Sequence, residues 1–176
     1  MLFQNLEYFD ARPLDLSMGK ISQGSDGRFR WVPASGRTAF DELEKSGSLA
    51  TLLTDHLASD MVAKLRDKVV LVEFWGTWCG PCLAYTPELE RIYDKYRDLG
   101  VEFLSIHSQQ GAEKADAYLA NQPLVWPSVV DSNGEFAKRF RVPSYLSLYV
   151  FNSKGELVVA LPHRLLLESC IESVRE

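Results

Sequence analysis

The sequence predicts an α/β sandwich, a mixed central β-sheet flanked by helices, preceded by an N-terminal, partly helical extension. Three observations carry this prediction. Two short strand-like runs, 69–75 and 101–106, bracket a long helical pattern, further helical and short strand-like segments follow, and the chain closes on a strand, strand, helix sequence. That order is the one in which a sheet is covered by helices on its faces.

Residues 1–67 read as the extension, with turn clusters at Gly24-Ser25-Asp26-Gly27 and Pro33-Ala34-Ser35-Gly36 and no strong strand alternation. Thr38 is placed to cap a short helix running to Gly47. Leu49, Leu52, Leu53, Leu57 and Met61 then recur at helical spacing, the stripe of a helix packed on the main domain. From residue 68 to 176 the domain proper is expected. Its first strand, Val-Val-Leu-Val-Glu-Phe-Trp at 69–75, is an apolar, β-branched and aromatic run apart from Glu73, as for a strand buried on both faces. Leu83, Leu89, Ile92, Tyr96 and Leu99 mark one face of the long helix, which Gly100 ends. After the strand at 101–106 come a helix at 112–120, a short strand at 128–131, and the turn Ser132-Asn133-Gly134 before a brief helix ending near Phe140. Strand-like segments at 146–151 and 156–161 flank Asn152-Ser153-Lys154-Gly155, a hairpin signal, and a helix over 164–174 follows.

The totals narrow the function classes. A chain of 176 residues with 46% hydrophobic content supports one packed domain plus an extension. Its formal charge of −5 offers no basic field for nucleic acid or anionic membrane surfaces. The longest apolar runs fall far short of the roughly 20 residues a membrane span needs, so no membrane insertion is expected of this chain. Residues 1–10 lack a basic start and a continuous apolar stretch, so they do not read as a secretory signal. Three cysteines are too few for a disulfide-dense scaffold, and two of them share one tight motif.

That motif is Trp75-Gly76-Thr77-Trp78-Cys79-Gly80-Pro81-Cys82, at the handover from the first strand to the long helix. A helix start presents free N–H groups and the positive end of the macrodipole, both of which favour thiolate over thiol. Cys79 at that start is the expected attacking thiol, and Cys82, three residues on and on the same side of the first turn, the resolving one. Pro81 suits a first turn because it needs no bonded N–H, and Gly80 lets another chain approach closely. Two other readings of the pair stand beside this: half of a zinc site, which needs two further ligands while His56, His107 and His163 are isolated, and an inert buried pair. Glu73 lies inside the apolar run, where an unpaired carboxylate is costly and tends to hold its proton; the alternative is a glutamate reaching solvent at a sheet edge. Trp75 and Trp78 read either as an apolar apron that docks a substrate peptide or as cover for the end of the sheet. Cys170, beside Leu167 and Ile171 in the final helix, reads as a small buried hydrophobe.

With WGTWCGPC following VVLVEF, the sequence resembles the thioredoxin superfamily, and its longer layout the TlpA and ResA branch. The likeness runs from about Lys68 to Glu176 and includes Pro87, five residues beyond the second cysteine, where the family's helix kinks. The resemblance implies a thioredoxin-like fold and a thiol–disulfide oxidoreductase acting on protein disulfides. It implies Glu73 behind the resolving cysteine, taking the proton of Cys82. It implies an upstream dithiol donor. No dissociable cofactor is needed, no metal is expected for want of further ligands, and a monomer is expected. The branch works mostly outside the cytoplasm, where disulfides persist, so the extracytoplasmic side is favoured although no export signal is visible. The Gly-Pro pair between the cysteines is the one found in thioredoxin, whose potential near about −270 mV is reducing, which favours a reductase.

Two departures stand out. Where some ResA-like members carry a glutamate in the loop at 107–111, this chain has Gln110. The family's cis-proline before the fourth strand, which faces the cysteines and offers backbone bonds to a substrate strand, falls on Leu146, next to Tyr145. A non-proline cis bond costs about 2.5–4 kcal/mol, so a trans Tyr145–Leu146 peptide is expected. In the family the proline also keeps metals from the cysteines. Its loss therefore supports an alternative class, a thioredoxin-like binding or scaffold module that exchanges poorly and holds a metal on the cysteine pair.

Overall fold

The computed structural model describes residues 19–23, 29–33, 48–53, 57–160 and 167–175, and the chain divides into two compact units, 1–38 and 39–176. In the first unit, β1 (Gly19–Gln23) and β2 (Phe29–Pro33) pair antiparallel with Ile21 opposite Trp31. The sequence shows no strong strand alternation in this region. Each segment is only five residues long, too short for a period of two to stand out, and it is pairing with the other that makes it a strand. The helix expected from Thr38 to Gly47 lies outside the described residues.

The second unit, 39–176, carries among its described residues two short helices ahead of the main sheet. α1 (Leu49–Leu53) and α2 (Ser59–Leu65) bury Leu49, Leu52, Leu53 and Leu65 in the same cluster as Val70, Val72 and Phe74 of the sheet. The Leu49 amide also donates to the Gly155 carbonyl at 2.7 Å, tying α1 to the far end of the chain. Residues 39–67 therefore belong to the unit that holds the sheet. An apolar helix has to bury its stripe somewhere, and here the sheet supplies the surface.

The main sheet has the order β5-β4-β3-β6-β7. β3 (Val69–Trp75) is its centre, parallel to β4 (Val101–His107) on one side and antiparallel to β6 (Ser147–Phe151) on the other. β5 (Ser128–Val130) and β7 (Leu157–Ala160) are the edges. Every residue of β3 and β4 is buried, the polar Glu73, Glu102, Ser105 and His107 among them. α3 (Gly80–Tyr96), the long helix, carries Pro87 in its interior and runs into a 3-10 turn, Arg97–Leu99, that Gly100 ends with φ 83°. α4 (Ala112–Asn121) and α5 (Glu135–Arg139) flank β5, and α6 (Leu167–Arg175) closes the chain.

Side chains alternate across β3, and the alternation sorts the core. Val70, Val72 and Phe74 face a cluster completed by Tyr149, Phe151, Phe136, Phe140 and α1. Val69 and Leu71 face the opposite way, into a cluster with Tyr85, Leu89, Ile92 and Tyr96 of α3 and Leu167 and Ile171 of α6. Trp75, at the carboxyl end of β3 on this second face, forms a smaller cluster with Cys79 and Cys82. Carboxyl ends of sheet strands are where α/β folds open crevices, and the cysteines lie at such an end.

Candidate active site

Cys79 is the residue that caps α3, and the Cys82 amide donates to its sulfur at 3.2 Å. The two cysteines form a disulfide with a Cα–Cα separation of 5.3 Å. Pro81 sits in the first turn, so the helix start loses no bond to it. Cys82 is fully buried and Cys79 4% exposed, so the edge of the disulfide that other molecules reach belongs to Cys79. Gly80 and Pro81 lie exposed over it, and nothing stands within 4 Å of where a Gly80 side chain would be. Free N–H groups at this helix start give the Cys79 sulfur, once reduced, a stabilised negative charge.

The loop before the cysteines is lashed to the end of β4. The Ser108 amide donates to the Trp75 carbonyl at 2.9 Å, and the Thr77 amide to His107 Nε2 at 3.0 Å. His107 Nδ1 lies 2.8 Å from the Ser108 carbonyl, which makes Nδ1 the protonated nitrogen and leaves Nε2 as the acceptor for Thr77. Burial lowers the His107 pKa from its ordinary 6.5, which favours this neutral form. Replacing His107 by leucine is expected to leave the Thr77 N–H without its partner and to cost about 1–3 kcal/mol of stability at neutral pH, read by denaturant unfolding. The wild-type protein should also lose stability as pH falls below 6.5, where the unfolded chain takes up a proton that folded His107 resists, and the variant should lack that component.

Trp78 is 45% exposed, yet its indole N–H donates to Ser108 Oγ at 3.0 Å and to the Gln110 carbonyl at 2.8 Å. Tyr145 meets its ring edge-on with centroids 5.2 Å apart. Gly76 makes room for it: a side chain there would stand 2.8 Å from Trp78 Nε1. Gln110 thus contributes its backbone rather than a side-chain charge. Trp75, by contrast, is buried against His107 and Tyr118. It borders the cysteines from inside rather than forming an exposed apron. The Tyr145–Leu146 peptide is cis, not trans as expected. Tyr145 packs against Trp78 and Leu146 against two core clusters, contacts on both sides of the bond that counting along the sequence cannot register.

Glu73 is buried, 4% exposed, on the β3 face that carries Leu71 and Trp75. It therefore lies between the level of Tyr85 and Leu89 and the level of the cysteines. Burial pushes its pKa from 4.5 up to about 7, and a hydrogen bond from Ser105 Oγ at 2.5 Å pulls the other way. Ser105 and Trp126, which bonds to Ser105, do not stand out in the sequence. The one signal there is a serine inside the apolar run of β4, opposite Glu73 in the parallel register. Cys170 stays a free thiol on α6, half-buried, its pKa raised by burial. Among the described residues, no three His, Cys, Asp or Glu side chains gather as a metal cluster would require.

A cysteine disulfide on the first turn of a helix that leaves the central strand of a mixed five-stranded sheet defines a thioredoxin-like redox protein. The comparisons with known proteins agree. Residues 39–160 match the Redoxin family. Over 134 residues the chain is 22% identical to sporulation thiol-disulfide oxidoreductase A of Bacillus subtilis (strain 168), covering 74% of this chain and 80% of that protein. Over 97 residues it is 31% identical to the thiol-disulfide oxidoreductase ResA of Oceanobacillus iheyensis, covering 54% of this chain and 50% of ResA. The chain thus spans about half the length of that relative. Its fold superposes on the crystal structure of a thiol:disulfide interchange protein, a thioredoxin family protein from Chlorobium tepidum TLS, with a TM-score of 0.57 at 17% identity over 65% of this chain and 84% of that one. The chain belongs to the Redoxin family and, within the thioredoxin superfamily, to the branch of the ResA-like thiol-disulfide oxidoreductases.

Proposed function

We propose that this chain reduces protein disulfides, with Cys79 as nucleophile, Cys82 as resolving thiol and Glu73 as proton acceptor. The observation that carries the proposal is the disulfide on the first turn of α3, with the Cys82 amide directed at the Cys79 sulfur. In the reduced protein the Cys79 thiolate attacks one sulfur of a substrate disulfide, forming a mixed disulfide and expelling the first substrate thiolate. Cys82 then gives its proton to Glu73, attacks the Cys79 sulfur and releases the second substrate thiolate. Two electrons have passed to the substrate, and the protein is left with the Cys79–Cys82 bond. A carboxyl with a pKa of about 7 suits the intermediate step, since it both accepts and returns a proton near neutrality.

The accessible groups around Cys79 support a protein strand as the second reactant. Trp78 and Tyr145 supply an aromatic wall, Gly80 and Pro81 a low rim, and the backbone at Tyr145 and Leu146 the edge along which an extended segment can pair. Trp75 acts from beneath, packing the cysteines. An upstream dithiol protein restores the reduced form through the same exposed sulfur. Among the described residues no helix is long and apolar enough to cross a membrane. The reducing direction rests on the Gly-Pro pair between the cysteines.

Redox titration against defined dithiol buffers, with free thiols trapped by a mass tag, tests the reading. Cys79 and Cys82 are expected to titrate together as one two-electron couple with a midpoint in the thioredoxin range, roughly −270 mV. A midpoint near that of a strong oxidant would reverse the direction. Two unrelated midpoints, or thiols blocked until a chelator is added, would leave a binding module in place of a reductase.

A further inference from the structure

Ser105 is a fully buried hydroxyl in an apolar strand, and its bonds run in one direction. The Trp126 indole N–H donates to Ser105 Oγ at 2.7 Å, and Ser105 spends its single proton on Glu73 Oε2 at 2.5 Å. Indole has no acceptor to offer in return, so the order Trp126 to Ser105 to Glu73 cannot be reversed while both bonds stand. The ends are held firmly. Trp126 packs edge-on against Tyr93 and Phe103, with centroids 5.5 and 5.3 Å away, and the Ser105 amide donates to the Pro127 carbonyl at 3.0 Å.

The groups facing Glu73 are otherwise neutral or apolar. β6 presents Leu148 in register with it, α3 presents Tyr85 and, beyond, Cys82, and β4 carries His107 one step further along the same face. Among the described residues no charged side chain shifts the proton affinity of Glu73; burial and the Ser105 bond are the two influences on it.

We propose that Ser105 and Trp126 are positioning residues for the Glu73 carboxyl, a directed relay in which Trp126 donates to Ser105 and Ser105 engages Oε2, leaving Oε1 to take the proton of Cys82. The proposal rests on the proton-acceptor reading of Glu73 given above. The Ser105 bond favours the carboxylate over the acid, because a hydrogen bond to the charged form is stronger than one to the neutral form. Trp126 acts at one remove, by occupying a lone pair of Ser105 and aiming its proton at Glu73.

The test uses the full chain and two readouts. One is the titration of Glu73 in the oxidised protein by carbon-13 NMR of labelled glutamate side chains, with Glu73→Gln identifying the signal. The other is the pH profile of mixed-disulfide resolution, followed by rapid mixing of reduced protein with a disulfide-bonded model peptide, acid quenching and mass analysis. Ser105→Ala is expected to raise the Glu73 midpoint by about one unit and to slow resolution about fivefold at pH 7. Trp126→Phe should move both in the same direction by less, and Ser105→Thr, which keeps the hydroxyl, should restore them. An unchanged Glu73 midpoint in Ser105→Ala overturns the proposal; the base reading then still stands if Glu73→Gln slows resolution. A wild-type resolution profile in Glu73→Gln removes the base reading itself, and the positioning role with it.

Discussion

Cys82→Ser is expected to stop exchange half-way, accumulating a covalent complex between Cys79 and the substrate, while Cys79→Ser should form no complex at all. The difference follows from access. Cys82 is completely buried beneath the first turn of α3, and only the Cys79 edge of the disulfide meets solvent. In the proposed exchange, substrate and electron donor therefore both react at Cys79, and Cys82 works only from inside, on a sulfur already held by the protein. Removing the resolving thiol leaves the first step intact and blocks the second, so turnover should fall on the order of a thousandfold while the first burst survives. Removing the nucleophile abolishes both. Non-reducing electrophoresis and intact-mass measurement of each variant after mixing with a disulfide-bonded peptide check this. A stable complex on Cys82 in the Cys79→Ser protein would mean that the helix start opens far more than its burial allows.

Glu73→Gln is expected to reshape the pH dependence of stability by about as much as any single substitution in the protein. The folded pKa is about 7 and the ordinary value 4.5, so the folded state holds this proton more tightly than the unfolded chain does. Below pH 4.5 both states are protonated and the site costs nothing. As pH rises from 4.5 through 7 the unfolded chain ionises first, and folding loses about 3 kcal/mol that does not return at higher pH. The amide of the variant cannot ionise. Its unfolding free energy minus that of wild type should accordingly grow by about 3 kcal/mol between pH 4 and pH 8, whatever constant offset the amide introduces. Urea unfolding of the oxidised proteins, in which neither cysteine of the pair titrates, measures it. A difference that stays flat across that range would mean the carboxyl ionises as it does in water.

These expectations depend on features that the sequence revealed unevenly. β3 and α3 were readable because a strand buried on both faces and a helix with one apolar face leave opposite patterns in the chain. The cysteines were readable because their spacing and the strand-to-helix handover are local. The N-terminal strands were not, since each is only five residues long and becomes a strand through pairing with the other. Partners are hidden for a related reason in the next segment: Leu49, Leu52 and Leu53 announce that they will be buried, but not against what. Ser105 and Trp126 stand 21 residues apart, and their bond exists only because β4 and the segment before β5 lie side by side. The cis peptide at Tyr145–Leu146 likewise answers to packing from Trp78 and two core clusters, none of it adjacent in the chain.

The anchoring of Trp78 has a consequence for how partners come and go. Its indole is fastened to Ser108 and to the Gln110 carbonyl, atoms of the β4–α4 connection that take no part in exchanging electrons. Opening or closing the Cys79–Cys82 bond therefore leaves the fastening untouched. Under the proposed docking role of Trp78, a partner would meet the same aromatic wall in both states, with little side-chain freedom to surrender on contact. On that reading departure would be governed by whether a covalent link to Cys79 persists, so the timing of release would lie with sulfur chemistry rather than with reshaping of the wall.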